Sequence, residues 1–191
     1  MNSRYLTPLF LFCLLQLAAC SSDKADKATN TAAGQKGGPG QLDHFAYFFM
    51  PLAGCAGIME VELGKIAAQR ATAPRVKAYA TQMVQQHTAI NDEYRTLMRR
   101  KGLVPPDTMM REQRLKVDSL RNMSAAEVDQ RYTTMMVNDH GMAVKLFGMA
   151  YDSAQDAEYR EWLGRMCQIV REHHQHALAL RGGTGHHQGS M

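Results

Sequence analysis

Residues 79–87 read YATQMVQQH, and residues 132–140 repeat the pattern as YTTMMVNDH. The two copies share Tyr, Thr, Met, Val and His at five of nine positions, without a gap. Each copy lies in a run with helical periodicity, and residues four apart share one face of a helix. Each copy therefore places a methionine and a histidine on one face, Met83 with His87 and Met136 with His140.

Outward from the repeat, apolar residues recur at alternating spacings of three and four, as in helices packed in a bundle. The pattern predicts long helices over about 43–70, 74–101, from 124 to a break at 152–153, and from there to the glycines at 182–183. A shorter helix is predicted over 107–122. No segment shows the two-residue alternation of a strand. The sequence thus predicts an all-α, four-helix bundle with a short extra helix in the long middle connection.

Several residues mark the ends of these helices. Pro51 predicts a kink in the first helix or a late start to it. Pro74 suits the first turn of the second helix, and Gly102 suits the residue after its end. Ser124 and Glu127 have the spacing of a capping box before the third long helix. The core face predicted for the first helix consists of Phe45, Phe49, Leu52, Ala56, Met59, Leu63 and Ile66.

The lengths of the connections bear on the topology. The first two long helices join through a tight turn, as do the last two, whereas the middle connection exceeds twenty residues. With a rise of about 1.5 Å per residue, a helix in that connection can travel back along the bundle. The second and third long helices would then run parallel, as in a ferritin-like crossover. A plain up-down bundle with a capping helix is the alternative.

The N-terminal segment is predicted to direct export. Residues 1–19 combine Arg4 with an apolar stretch too short for a membrane span, as in a signal peptide. Residues 17–20, LAAC, resemble the lipobox of bacterial lipoproteins, which implies cleavage before Cys20 and lipidation of that cysteine. The serines at 21 and 22 imply sorting to the outer membrane. We therefore expect a lipid anchor in the membrane and a periplasmic location in the bacterial cell envelope, with an ordinary secretory signal as the alternative.

Composition separates the rest of the chain into a folded part and two loose parts. Residues 20–41 are rich in small and polar residues and predict a flexible tether, and residues 182–191 predict a disordered tail. Residues 42–181 then form the bundle. The net charge is only +4, with no basic run interleaved with aromatic residues, which argues against nucleic-acid binding. No nucleophile motif or phosphate loop is present, so the sequence predicts a protein that is not an enzyme, with unknown protein partners.

Three histidines fall on the predicted core faces of three different helices: His87, His140 and His173. In the crossover topology, these residues and Glu60 lie within about 10 Å of one another along the bundle axis. Imidazole suits Zn, Cu, Fe and Ni, and thioether selects soft ions such as Cu(I). The sequence therefore predicts a transition-metal site, for copper or silver first and zinc next, whose candidate ligands are His87, His140, His173, Glu60, Met83, Met136 and Met166.

Other interpretations of these residues stay open. Core histidines can be ordinary hydrogen-bonded residues, with Glu60 as a partner, and core methionines can be gap-filling side chains. The bundle would then be a structural or interaction module of the envelope without a cofactor. A di-iron centre is disfavoured, because it needs Glu-x-x-His on two helices and no glutamate here has a histidine three residues on.

Two further groups of residues are candidates. Cys55 and Cys167 lie one position off the core faces of the first and last helices, so a disulfide, buried free thiols and soft-metal ligation are all open. A surface metal site is a second possibility near the C-terminus. Its residues would be Glu172, His173, His174, His176, His186 and His187.

The core segments of the chain also carry a family resemblance. Residues 59–67, MEVELGKIA, then 76–80, VKAYA, and the motif that ends at His87 resemble the bacterial ferritin-like family called domain of unknown function 4142. Residues 132–147 resemble a later helix of that family, and the likeness extends over about 45–177. It implies a ferritin-like bundle exported to the envelope and no established activity. Residues 139–143, DHGMA, are also similar to Met- and His-rich periplasmic proteins that handle copper or silver.

Overall fold

The computed structural model describes residues 42–184, with side chains up to Gly182. Five helices make up this part of the chain: α1 (His44–Arg70), α2 (Pro74–Arg100), α3 (Arg111–Arg121), α4 (Ala125–Ser153) and α5 (Ala157–Thr184). The described residues contain no strand. The prediction of an all-α bundle, with a short extra helix between the second and third long helices, is confirmed.

Local sequence signals account for the helix ends. Asp43 caps α1 by accepting a hydrogen bond from the backbone N–H of Ala46 at 2.8 Å. Pro74 is the first residue of α2, and Gly102 follows its end with φ at +71°, a conformation that glycine adopts without strain. The capping box is formed as predicted, since Ser124 donates to Glu127 from both its backbone N–H and its hydroxyl.

Contacts at the two ends of the bundle fix the direction of α4. At one end, the turn after α1 binds the start of α4: Asp129 accepts a backbone hydrogen bond from Thr72 at 3.0 Å. At the other end, Lys101 after α2 pairs with Asp156, just before α5, at 2.7 Å. Helix α4 therefore starts where α2 starts and ends where α2 ends. The two helices run parallel, which is the ferritin-like crossover and excludes the up-down alternative.

The packing order follows from this topology. Helix α1 packs on α2 and α4, α5 packs on α4 and α2, and α3 lies against α1 and α4. Helices α1 and α5 thus occupy opposite corners. A Cβ atom at Gly54 would lie 2.6 Å from the ring of Tyr94, and one at Gly64 would lie 2.8 Å from Val84. These glycines let α1 approach α2 closely. Helix α1 is long and apolar enough to cross a membrane by length and composition alone, yet here one of its faces is packed in the bundle.

A layer of buried polar residues divides the core. On the side of the α1–α2 turn, one hydrophobic cluster is built around Leu63, Met83 and Met136. On the side of the α4–α5 turn, a second cluster is built around Phe49, Leu97 and Leu163. Between them, every long helix contributes a buried polar side chain, and the layer consists of Glu60, His87, Asn91, His140 and His173.

Some details of the prediction are wrong. Helix α1 begins at His44, so Pro51 does not delay its start. Leu52 is 47% exposed rather than part of the core. Helix α3 begins at Arg111, four residues later than predicted. Helix α5 continues past Gly182 to Thr184, because a glycine pair weakens an exposed helix end by only about 1 kcal/mol per residue and does not forbid it.

Several predictions lie outside the described residues. These are the signal peptide, the lipidated Cys20, the tether up to residue 41, and the histidines at 186 and 187. They stay predictions from the sequence.

Candidate metal centre

The structure brings the three core histidines together. The ring centroids lie 5.7 Å apart for His87 and His140, 5.2 Å for His87 and His173, and 5.1 Å for His140 and His173. One ring nitrogen from each residue can be chosen so that all three nitrogens lie within 4.8 Å of one another. Among the described residues, this is the one cluster of at least three metal-binding side chains, and it contains no carboxylate.

The sequence repeat explains how two of these histidines meet. Tyr79 and Tyr132, which open the two copies, have ring centroids 6.2 Å apart, and the histidines that close the copies have centroids 5.7 Å apart. Both pairs can be adjacent only if the helices run parallel at matching heights. The repeat therefore marks equivalent levels of α2 and α4.

Hydrogen bonds orient His140 and His173. Nδ1 of His140 lies 3.1 Å from the backbone carbonyl oxygen of Met136. Since that oxygen only accepts, Nδ1 carries the proton and Nε2 bears a lone pair. Nε2 of His173 lies 2.7 Å from Oε1 of Gln86. If this amide oxygen accepts from Nε2, then Nδ1 of His173 also bears a lone pair.

The two lone-pair nitrogens face each other. Nδ1 of His173 lies 3.2 Å from Nε2 of His140. Two imidazole nitrogens bound to one tetrahedral metal ion, at about 2.0–2.1 Å each, are about 3.3 Å apart. The observed separation fits two ligands on one ion, and it also fits an N–H···N hydrogen bond between the rings. Each ring donates its other N–H to an oxygen, which is the usual support of a histidine ligand.

A second hydrogen-bond arrangement needs no metal. If the amide of Gln86 is turned over, its NH₂ group donates to Nε2 of His173, and Nδ1–H of His173 donates to His140. This arrangement satisfies both rings. It does nothing for His87, whose two ring nitrogens are buried without a partner. An unsatisfied buried polar atom costs about 1–3 kcal/mol. A bound metal ion would give one nitrogen of His87 a partner and the second arrangement would not, so His87 distinguishes the two.

Burial keeps all three imidazoles neutral. It lowers the pKa of His140 to about 4 and that of His173 to about 3. For His87, burial first, and then the neighbouring His140 and His173, hold the pKa well below its ordinary value of 6.5. Neutral imidazole is the form that binds metal ions, so the cluster is in its ligand form at neutral pH.

Glu60 belongs to the same layer but not to the close cluster. Its carboxyl group is buried, and Oε2 has no hydrogen-bond partner. Burial, and then the charge of Asp139, raise the pKa of Glu60 to about 8, against an opposing effect of Lys116. Glu60 is therefore mostly protonated at neutral pH and adds little negative charge to the cluster.

A cavity of about 400 Å³ adjoins this layer. It lies inside the bundle, and residues of α3 line part of it. Glu60, His87 and His140 line its buried part, whereas Leu52 and Met142 lie at exposed positions. The cavity gives small molecules a route from the surface to the histidines.

The predicted methionines are all in the core. Met83 and Met136 each lie one helical turn before a cluster histidine, on the side of the α1–α2 turn, and Met166 lines the cavity. Their burial fits core packing, and their role as ligands stays a prediction.

The cysteines and the C-terminal histidines are not joined to this centre. Cys55 and Cys167 are free thiols with different neighbours, since Cys55 lies beside the backbone of Met110, before α3, and Cys167 lies near Asp152 at the end of α4. The disulfide is therefore not formed in the structure. His176 packs against Tyr79, with ring centroids 4.7 Å apart, and lies outside the close cluster, as does His174.

Sequence reasoning missed three polar contributors. Gln86 is next to His87 in the sequence but contacts His173 on α5, and Asn91 lies one turn after His87 in the buried layer. Asp139 pairs with Lys116 of α3 at 2.6 Å beside the cavity. The only sequence signal for Gln86 and Asn91 is their position relative to His87, one residue before it and four residues after it.

Comparison with known proteins gives the family. The family model described as Domain of unknown function (DUF4142) matches residues 28–180. No curated protein and no solved structure matches the chain. The chain belongs to the DUF4142 family.

Proposed function

We propose that this member of the DUF4142 family binds one transition-metal ion through His87, His140 and His173. The observation that carries the proposal is the convergence of three buried imidazoles within 4.8 Å, in which both ring nitrogens of His87 have no protein partner. Within this cluster, Nδ1 of His173 and Nε2 of His140 lie 3.2 Å apart. The other nitrogens of these rings are occupied by Gln86 and the Met136 carbonyl, so the two converging nitrogens are available to a metal ion.

His87 completes the donor set. Its two ring nitrogens have no protein partner although the residue is buried, and a bound cation would satisfy one of them. The nitrogen of His87 has to approach by up to about 1.5 Å, from the 4.8 Å limit of the cluster to the tetrahedral separation of about 3.3 Å. A rotation of one side chain about its χ angles supplies a shift of that size.

The donor set favours borderline metal ions. Three neutral imidazoles suit Cu and Zn, and Cu(II) binds nitrogen ligands more tightly than Zn(II) does in the Irving–Williams order. We therefore place copper first and zinc second. Silver binding would need a thioether ligand. It would therefore require Met83 or Met136 to move toward the histidines.

The cavity adjoins two of the proposed ligands. His87 and His140 both line it, so a water molecule or a small ligand can reach the ion from that side. The close cluster itself contains no carboxylate, although Glu60 and Asp139 line the adjoining cavity. Because Glu60 is mostly protonated at neutral pH and Asp139 is paired with Lys116, we propose storage or transfer of the metal rather than catalysis.

A second candidate function is a structural module without a cofactor. The contacts of His140 and His173 favour it, because turning over the Gln86 amide satisfies both rings. The buried polar layer would then fix the register of the four long helices. The unpartnered nitrogens of His87 weigh against it.

We place this function in the bacterial cell envelope. The basis is the sequence alone: an apolar segment of residues 5–17 followed by LAAC at 17–20. Cys20 would carry the lipid anchor, with outer-membrane sorting proposed from the serines that follow it. Metabolic labelling with a radioactive fatty acid tests the anchor, since a Cys20→Ala protein should lose the label.

Metal titration tests the proposed site. The purified, tag-free protein is titrated separately with Cu(I), Cu(II) and Zn(II) in competition with a chromophoric chelator. We expect one ion per chain for the wild type and none for the His87→Ala/His140→Ala double variant. His44→Ala is the matched control, because His44 is an exposed histidine of α1 outside the cluster. Equal uptake by wild type and double variant would contradict the proposal.

A further inference from the structure

The cavity beside the polar layer has an aromatic wall. Phe49, Phe147, Trp162 and Tyr94 all line it. Phe49 meets Phe147 edge-on with centroids 4.9 Å apart, and Trp162 lies 6.0 Å from Phe147 and 6.1 Å from Tyr94. The volume of about 400 Å³ is within the range of small-molecule sites. Such walls favour an aromatic ring that packs edge-to-face or offset.

Unpaired polar atoms are concentrated on this cavity. Oε2 of Glu60 and Nε1 of Trp162 have no hydrogen-bond partner, although both residues are more than nine-tenths buried. Buried Trp N–H groups usually find a partner, and an unpaired buried carboxyl oxygen is costly. A ligand with one hydrogen-bonding group would satisfy one of these atoms.

Charge decides the nature of that group. Lys116 is the one lysine or arginine among the described residues that line the cavity, and it is already paired with Asp139 at 2.6 Å. An anionic ligand group would therefore be buried without a free counter-ion. A cationic group beside Glu60 would either face a neutral carboxyl group or have to ionise it, and the loss of hydration of the resulting buried ion pair offsets the attraction. An uncharged group, such as a hydroxyl or a carbonyl, meets neither penalty.

We infer that the cavity is a binding site for a small aromatic molecule that carries one uncharged hydrogen-bonding group. The ring packs against Phe49, Phe147 and Trp162, and the polar group bonds to Glu60 or to Nε1 of Trp162. This site goes beyond the proposed metal centre. It needs no metal ion, because its contacts come from the cavity wall.

The single tryptophan of the chain, Trp162, reports on this site. Three nitrophenyl quenchers share one ring and differ in their polar group: 4-nitrobenzyl alcohol is neutral, 4-nitrobenzoate is anionic and 4-nitrobenzylammonium is cationic. Each is titrated into the full-length protein in the presence of EDTA and a reductant, with tryptophan fluorescence as the readout. EDTA keeps the metal centre empty, so the outcome is independent of metal binding.

We expect saturable quenching by the alcohol, with an apparent affinity at least tenfold higher than for either charged analogue. Ala143→Phe, which adds a ring at a position lining the cavity, should abolish saturation, whereas Ala126→Phe, at an exposed position of the same helix, should retain it. Linear quenching of equal slope by all three compounds would overturn the inference, as would tight binding of a charged analogue. This comparison uses the wild type alone and so decides the question even if Ala143→Phe fails to fold.

Discussion

Replacing Glu60 by glutamine should stabilise the metal-free protein, and the gain should grow with pH. Burial raises the pKa of Glu60 from 4.5 to about 8. Above pH 4.5 the carboxyl group ionises in the unfolded chain, but it stays protonated in the folded protein until about pH 8. Ionisation of Glu60 in the unfolded chain therefore favours unfolding between pH 4.5 and about 8, and the free energy of unfolding falls as the pH rises through this range. Glutamine keeps the size of the side chain and removes this effect.

The magnitude follows from the two pKa values. The difference in unfolding free energy between Glu60→Gln and wild type should be about 1 kcal/mol at pH 5, about 3 at pH 7 and about 5 at pH 9, as upper limits before relaxation. The three histidines titrate in both proteins, so their effect cancels in the difference.

Urea denaturation in EDTA, followed by circular dichroism at 222 nm and repeated at the three pH values, measures this difference. Glu62→Gln is the matched control. Glu62 lies two residues further along α1 and forms a surface ion pair with Lys65. Its replacement should change stability by about 0–1 kcal/mol. If the Glu60→Gln and wild-type free energies stay parallel from pH 5 to pH 9, the buried, protonated state of Glu60 is refuted.

Three further predictions follow from the same contacts. Gln86→Leu should lower metal affinity by about 10–100-fold in the chelator assay, because a histidine ligand loses its supporting partner, whereas Gln85→Leu should not. Gly54→Ala should destabilise the protein by about 1–3 kcal/mol in thermal melts, because the added Cβ would lie 2.6 Å from the ring of Tyr94. Gly148→Ala has open space around the added Cβ and should stabilise the protein by about 0.5–1 kcal/mol. In the Glu60→Gln background, lowering the pH from 7 to 5 should reduce the free energy of unfolding by about 2 kcal/mol through His140, because its pKa is near 6.5 in the unfolded chain and about 4 in the folded protein. Adding His140→Asn should remove this part of the dependence of stability on pH.

The helices and the buried levels could be predicted from the sequence because they depend on local periodicity. A spacing of three and four residues identifies a buried face wherever the helix goes. It placed His87, His140 and His173 on core faces, and all three are buried. Leu52 fits the same spacing yet lies at an exposed position, because periodicity does not tell which part of a face stays uncovered beside a cavity.

Direction and partner choice could not be predicted in this way, because they depend on contacts far apart in the sequence. Periodicity is the same for parallel and antiparallel helices. Asp129 and Lys101, at opposite ends of the bundle, show which arrangement is present. The same limit applies to Gln86, whose contact with His173 lies across the α2–α5 interface.

The placement of the repeat argues against an origin by duplication of a helical hairpin. A duplicated hairpin would relate α1 to α4 and α2 to α5. The repeat instead relates α2, the second helix of one hairpin, to α4, the first helix of the other. The two copies therefore mark similar buried surroundings at one level of the bundle, which is where their histidines meet.

The position of a bound metal ion decides whether His87, His140 and His173 form a metal site. Crystals of the protein grown with Cu or Zn are measured at the absorption edge of that metal, and the anomalous difference map locates the ion. We predict one peak within about 2.0–2.1 Å of Nε2 of His140, Nδ1 of His173 and a ring nitrogen of His87. A map with no peak among these three rings, or with metal only at the C-terminal histidines, would contradict the account.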